Sequence, residues 1–281
     1  SGRDTERQLL TEDRIRQNCD AIRAQLSTYL RFDGDNPAVL VNNHDWIGPF
    51  SFIGWLRDVG KHFTVNQMIG KESVKRRLES REQGITYTEF SYQMLQAYDF
   101  MHLRRELGCE LQVGGNDQWG NITAGCDLTH KVLGERVFAL TCALMTTATG
   151  EKLGKSAGNS IWLDAELTSP YEFYQYWIQT DDRDVERWLK IFTFLSLDEV
   201  AAVVAESSKD PGARIAQRRL AEEVTRIVHG DAGLASALQA TAILFGGEVR
   251  GLGDAALQRL FRDVPQTEHA RTLRAASCIA W

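Results

Sequence analysis

Apolar residues recur at Ile15, Cys19, Ile22, Leu26 and Leu30, spaced four, three, four and four apart. That period predicts an amphipathic helix from Thr11 to about Phe32, with Thr11 and Asp13 supplying capping chemistry at its start. The turn FDGDNP ends it. Ala38 to Val41 (AVLV) is a short apolar run and predicts a buried strand, followed by a helix after Pro49. Lys71 to Arg81 is strongly polar and predicts an exposed helix. Thr88 to Leu107 is the longest clear helical pattern. A strand over Glu110–Val113 runs into Gly114 and Gly115, and a helix over Asp117–Val132 follows. Val137 to Met145 begins like a strand. TTATGEKLGKSAGNS predicts a loop, and beyond Ser169 the pattern is helical to about Arg262, interrupted by SKDPG and HGD turns.

Strands alternate with helices in the first half, and helices alone follow. This predicts an α/β domain over residues 1–168 and an all-α domain over 169–265, with the boundary near Thr168–Pro170. There is no internal repeat and no low-complexity segment.

Composition narrows the function classes. Of the 281 residues 43% are hydrophobic and 25% charged, which excludes a wholly disordered chain. No run approaches about eighteen uninterrupted apolar residues, so no membrane helix is expected. The opening SGRDTERQLL lacks the apolar stretch of a signal peptide. With a formal net charge of −6, any nucleic-acid contact must be a local basic patch. Cys19, Cys109, Cys126, Cys142 and Cys278 are scattered without a CxxC pair, which predicts buried free thiols in a reducing compartment. The chain begins at Ser1 inside a charged helical pattern, so a piece of a longer protein is expected.

Four segments carry candidate chemistry. In FSYQMLQAYDF, Tyr92, Gln96 and Asp99 fall at i, i+4 and i+7 and share one helix face among bulky apolar residues. They are either the solvent side of that helix or hydrogen-bonding groups of a pocket. In VGGNDQWGN, a strand ends at two glycines and Asp117 and Gln118 open a helix. This is either a tight turn or a site at the carboxyl end of a strand, where an acidic residue can hold a ribose hydroxyl. In GEKLGKSAG, Lys152 and Lys155 lie between glycines on a loop. They are solvated, or they meet a polyphosphate that gains charge in a transition state. The P-loop spacing is missing. In SGRDTER, Arg3 and Arg7 fit either a disordered charged end or a phosphate-contacting loop.

Taken in order, FSYQMLQAYDF, GGNDQWGNITAG, TGEKLGKS and SPYEFYQYWIQTDD resemble the bacterial and mitochondrial tyrosyl-tRNA synthetases, and so do VNNHDWIGP, WLRDVGKHFTVN and LAEEVTRIVHG. The resemblance runs from Ser1 to about Pro265. It implies a class I aminoacyl-tRNA synthetase with an incomplete Rossmann-like parallel-sheet domain and a helical domain that helps bind the anticodon arm. The implied reaction joins L-tyrosine to ATP, with Mg2+ accompanying the ATP and no protein ligand site for it, and then transfers tyrosine to the 3′ end of tRNA(Tyr). Tyr92 and Gln96 would bind the tyrosine ammonium group, Asp99 the phenolic hydroxyl, and Gln118 would lie by the carboxyl end. Gly115 and Asp117 would hold the adenylate ribose. Lys152 and Lys155 match the KMSKS-type loop of residues 150–158 that clamps the pyrophosphate, and Arg3 and Arg7 match the basic loop that assists it. The loop reads KLGKS here, and Asn116 stands where the family is expected to have serine.

The resemblance further implies a homodimer with Tyr87 at its interface, no membrane, and a cytoplasmic or organellar-matrix location. No HxGH occurs in the chain, so the HIGH-type motif is expected upstream of Ser1. QTEHARTLRAASCIAW departs from the family pattern, and a disordered tail is expected over 266–281 in place of an S4-like domain. Arg214, Arg218, Arg219 and Arg226 are either a solvated face or phosphate contacts. Two readings stay open: a tyrosine–tRNA ligase represented by a truncated form inactive alone, or a non-catalytic remnant serving as a dimerising or RNA-binding module.

Overall fold

The computed structural model describes residues 10–70, 74–75, 78, 85–150, 153 and 161–244. Two compact units divide between Met145 and Thr146. The sequence placed the division some twenty residues later, in the linker at Thr168–Pro170. The intervening loop is tied to the second unit by hydrogen bonds: the Ala148 amide donates to Asp184 Oδ2 (2.8 Å) and Arg187 Nη1 to the Thr146 carbonyl (3.1 Å).

The first unit opens with α1 (Glu12–Leu26), whose cap is Thr11 accepting from the Arg14 amide at 3.3 Å. The helix stops at Leu26, short of the expected Phe32, and its apolar stripe buries nothing: Ile15 and Ile22 stay exposed, as does Leu30 beyond it. Residues 38–41 form no strand. Val39, Leu40 and Val41 are exposed and belong to no regular element, because no described strand lies beside them to complete a ladder. Short helices follow: α2 (His44–Ile47), α3 (Phe52–Asp58) capped by Ser51, a tight turn at Gly60–His62, and α4 (Val65–Ile69) capped by Thr64. The helix expected over Lys71–Arg81 falls mostly outside the described residues.

Helix α5 (Tyr87–Leu107) starts in a reciprocal capping box between Thr86 and Glu89 and stops at Gly108, which takes a left-handed φ of 68°. Strand β1 (Leu111–Gly115) comes next, then a 3₁₀ turn at Asn116–Gln118, α6 (Trp119–Leu133) and β2 (Phe138–Cys142). β1 and β2 pair in parallel with Leu111 opposite Phe138 and Gly115 opposite Cys142, and α6 is their crossover. Among the described residues this makes one two-stranded parallel sheet joined by a helix. One core gathers Trp55, Val59, Met68, Met94, Ala97, Tyr98, Met101 and Leu128, and a smaller one gathers Phe100, Ile122 and Val137 beneath the strands. α5 and α6 approach closely because Gly125 has no side chain. A Cβ there would lie 2.9 Å from both Cβ and Cδ1 of Phe100.

The second unit is helical: α7 (Pro170–Ile178), α8 (Asp182–Phe192), α9 (Leu197–Ser207) and α10 (Ile215–Leu244). Ser169 and Glu172 cap α7 reciprocally with Pro170 in the first turn, and Ser196 and Glu199 cap α9. Phe173, Tyr174 and Trp177 are buried along α7, as are Leu220, Ala221, Val224, Leu234 and Ala237 along α10. The HGD segment interrupts the helical run as its sequence predicts: α10 is two helical stretches that meet at a non-helical residue, Gly230, where φ is 69° and ψ 179°.

Arg214 also takes a left-handed conformation (φ 50°). Its guanidinium donates to the Ile178 carbonyl (3.2 and 2.8 Å) and the Thr180 carbonyl (2.9 Å), sealing the end of α7. Arg219 and Arg226 pair with Glu223 at 3.1 and 3.2 Å. Three of the four arginines that sequence left open as phosphate contacts thus have partners within the unit. The thiols are free, but not deeply buried: Cys142 is exposed, and Cys19, Cys109 and Cys126 are half-buried. Cys278 lies outside the described residues. No helix among the described residues is long and apolar enough to cross a membrane.

Candidate active site

Helix α5 and the turn after β1 converge. The parallel pairing of β1 with β2 fixes where β1 ends, and α6 starts at that end. Gly114 and Gly115 let the chain turn there. A Cβ on Gly115 would meet Asp117 Oδ1 at 2.7 Å, and one on Gly114 would press on Gln118 Cβ and Ile122 Cδ1, both at 3.1 Å. The turn therefore presents Asp117 and Gln118 at the carboxyl end of the strand.

These groups meet the polar face of α5 through an unbroken line of hydrogen bonds. Tyr92 Oη donates to Gln96 Oε1 at 2.6 Å. Asn121, one turn into α6, donates from Nδ2 to Tyr92 Oη and to Gln118 Oε1, each at 3.2 Å. Gln118 Nε2 reaches Asp117 Oδ2 at 3.4 Å. Tyr92, Gln96, Gln118 and Asp117 are thus brought together. Gln96, Gln118 and Asn121 are half-buried, while Tyr92 and Asp117 are open to solvent.

Asp99 occupies its own niche. Trp46 Nε1 donates to its Oδ1 at 2.8 Å, and Asn43 Nδ2 to its Oδ2 at 3.1 Å. Trp46 is held in turn by stacking on His102, with ring centroids 4.5 Å apart. Burial pushes the Asp99 carboxyl above its ordinary value, and the two donors and nearby His102 pull it back in part. The result is a half-buried acceptor in a fixed orientation, the kind of group that recognises a hydroxyl or amine donor. Burial likewise lowers the His102 imidazole below its usual value.

Lys152, Lys155, Arg3 and Arg7 lie outside the described residues. Sequence reasoning passed over Asn121, Asn43 and Trp46. All three sit inside segments it had singled out, GGNDQWGN and VNNHDWIGP. Asn121 stands three residues after Gln118, a helical spacing that signals a shared face. The pairing of Asn43 and Trp46 with Asp99 spans more than fifty residues and leaves no local mark.

A crossover pair of parallel strands with polar side chains at the carboxyl end of the first is the arrangement in which open α/β sheets bind ligands. The family model for "tRNA synthetases class I (W and Y)" matches residues 1–246, and the chain belongs to that family. Among curated relatives, the "Tyrosine--tRNA ligase" of Anaeromyxobacter dehalogenans is 54% identical over 266 residues, which is 94% of this chain and 63% of the relative. That of Geobacillus stearothermophilus is 52% identical over 271 residues, 96% of this chain and 64% of the relative. The chain thus spans less than two thirds of the length of these relatives. Among solved structures, a C-terminally truncated mitochondrial tyrosyl-tRNA synthetase from Aspergillus nidulans superposes with a TM-score of 0.72 at 29% identity, covering 87% of this chain and 72% of that one. The Coccidioides posadasii counterpart gives 0.68 at 29% identity, covering 85% and 70%.

Proposed function

We propose that the chain carries the tyrosine-binding part of a tyrosine–tRNA ligase, together with part of its nucleotide site and a helical unit for the tRNA. The enzyme joins L-tyrosine to ATP, releases pyrophosphate, and passes the tyrosyl group to the 3′ end of tRNA(Tyr). The observation that carries this reading is the hydrogen-bonded line from Gln96 through Tyr92 and Asn121 to Gln118 and Asp117, beside the oriented carboxyl of Asp99.

Tyr92 and Gln96 then offer oxygens to the substrate ammonium group. Asp99 accepts from the phenolic hydroxyl. A pocket built around such an acceptor rejects phenylalanine because its polar groups would be left unpaired; this enzyme is also the worked example from which that rule is usually taught. Gln118 lies by the carboxylate, and Gly115 and Asp117 take the ribose. The chemical step is in-line displacement at the α-phosphate by the substrate carboxylate. It needs no covalent enzyme intermediate, only oriented reactants and cations near the departing phosphates. Lys152, Lys155, Arg3 and Arg7 are assigned that last role, with Mg2+ arriving on the ATP. Residues 1–168 and 169–265 are read as the partial catalytic domain and the anticodon-arm-binding domain. A homodimer with Tyr87 at its interface, in the cytoplasm or an organellar matrix, completes the reading.

Calorimetric titration of the 281-residue chain with L-tyrosine and L-phenylalanine tests the site. Binding of tyrosine with phenylalanine at least about tenfold weaker is expected. Equal affinity for the two, or none for tyrosine, would overturn the assignment. Tyrosine-dependent ATP–pyrophosphate exchange on this chain, beside a version extended to the length of its relatives, then reports which part of the reaction it carries out.

A further inference from the structure

Asn121 bridges the polar face of α5 and the turn after β1. Its carboxamide nitrogen carries two hydrogens. The two acceptors it faces, Tyr92 Oη and Gln118 Oε1, lie at equal distances of 3.2 Å on two different elements. Tyr92 spends its own hydroxyl hydrogen on Gln96 at 2.6 Å, so its oxygen is left to accept. Gln118 directs its amide nitrogen toward Asp117, so its carbonyl oxygen is turned back to α6. Each group's orientation is consistent with every other, and reversing the Asn121 carboxamide would set its oxygen against the Gln118 oxygen.

We propose that Asn121 is a positioning residue. By donating to both groups at once, it sets the Tyr92 oxygen and the Gln118 carboxamide in the mutual geometry that a single amino-acid substrate needs. The proposal rests on the tyrosine-site reading above. Asn121 hydrogen-bonds to Tyr92 and Gln118, whereas Asp99 is held by Trp46 and Asn43. Its loss therefore weakens amino-acid binding and leaves the Asp99 environment as it was. The physical reason is entropic. A half-exposed glutamine has several rotamers, and fixing one of them before the ligand arrives removes that cost from binding.

The test uses the 281-residue chain and two variants, the near-isosteric Asn121→Asp and the shorter Asn121→Ser. Asn121→Asp keeps the shape but offers no hydrogen to either oxygen at neutral pH. Asn121→Ser restores a single donor. Side-chain NMR resonances of Gln118 and Tyr92 are recorded in all three chains, with the Trp46 indole N–H as a reference for the Asp99 niche and thermal unfolding as a control for folding. Tyrosine affinity is then measured by calorimetry. In Asn121→Asp, the Gln118 amide and Tyr92 ring signals are expected to move while the Trp46 signal stays, and tyrosine binding to weaken about tenfold. Asn121→Ser is expected to recover part of that loss, and the effect of Asn121→Asp is expected to shrink when Gln118 is already alanine.

Unmoved Gln118 and Tyr92 signals overturn the proposal whatever the chain binds. Moved signals with unchanged tyrosine affinity overturn it as well, because the bridge would then be structural only. If the unsubstituted chain binds no tyrosine, the functional reading falls and this inference falls with it; moved signals would then mark the bridge as structural.

Discussion

Asp99 shows how one residue's setting shapes its chemistry. Burial raises its carboxyl, and the indole of Trp46 and the amide of Asn43 hold that rise in check. A carboxyl raised in the folded state binds its proton more tightly there than in the unfolded chain. Its contribution to stability is therefore greatest at acid pH and declines as pH climbs from the ordinary aspartate range through the raised value. Trp46→Phe removes the 2.8 Å donor and is expected to move the Asp99 titration higher still, as read by carbon NMR of the labelled carboxyl. A downward or absent change would mean that Trp46 does not sustain the charge. Asp99→Ala is expected to cut the preference for tyrosine over phenylalanine by at least about tenfold in calorimetric affinity. Retained preference in a folded chain would reassign the phenol contact.

At the scale of elements, two helix contacts carry most of the consequences. α5 and α6 meet where Gly125 faces Phe100, with no room for a methyl group. Gly125→Ala is expected to destabilise the chain by about 1–3 kcal/mol in denaturant unfolding, despite the better helix propensity of alanine. A neutral result would show that the two helices can shift apart. In the second unit, His229 sits just before the Gly230 kink of α10. Its ring stands edge-on to Phe173 with centroids 4.9 Å apart, and its Nε2 is buried with no hydrogen-bond partner among the described residues. Burial lowers its protonation below the usual histidine range. The unfolded chain then takes up a proton that the folded one refuses, so stability falls as pH drops below the ordinary histidine value. His229→Phe keeps a ring in the slot and is expected to flatten that acid-side decline of the melting temperature between about pH 7 and 5. An unchanged slope would place its origin elsewhere.

For the whole molecule, the open question is the sheet. Leu111, Val113, Phe138 and Leu140 share one face of the β1–β2 pair, and each is about half exposed. Parallel strands are ordinarily covered on both sides, and among the described residues α6 covers one of them. An apolar face of this kind favours self-association. Light scattering that rises with concentration, and binding of a hydrophobic dye, are expected for the chain as it stands. Val113→Lys with Phe138→Lys should reduce both, with the far-ultraviolet circular dichroism unchanged. A chain that is monodisperse before substitution would show that something already covers the face.

Local patterns settled the elements that local energetics control. The cap of α1 at Thr11, the long helix α5, the start of the helical region after Ser169, the two strands and the crossover helix were all legible, because caps, turns and hydrophobic periods are written within a few residues. Family membership was legible for the same reason: its motifs are contiguous. The AVLV run was misread because a strand is a relation between two segments, and the composition of one cannot supply the other. The α1 stripe was read correctly as a period and still buries nothing, since burial depends on what is opposite. The candidate site divides along the same line. Tyr92, Gln96, Asp99, Asp117 and Gln118 stood out in sequence because they cluster on one helix face and one turn. The bridge through Asn121, and the hold of Asn43 and Trp46 on Asp99, appeared only once α5, α6 and the distant α2 region had packed together. Hydrogen bonds between elements follow from tertiary distance, which no spacing along the chain encodes.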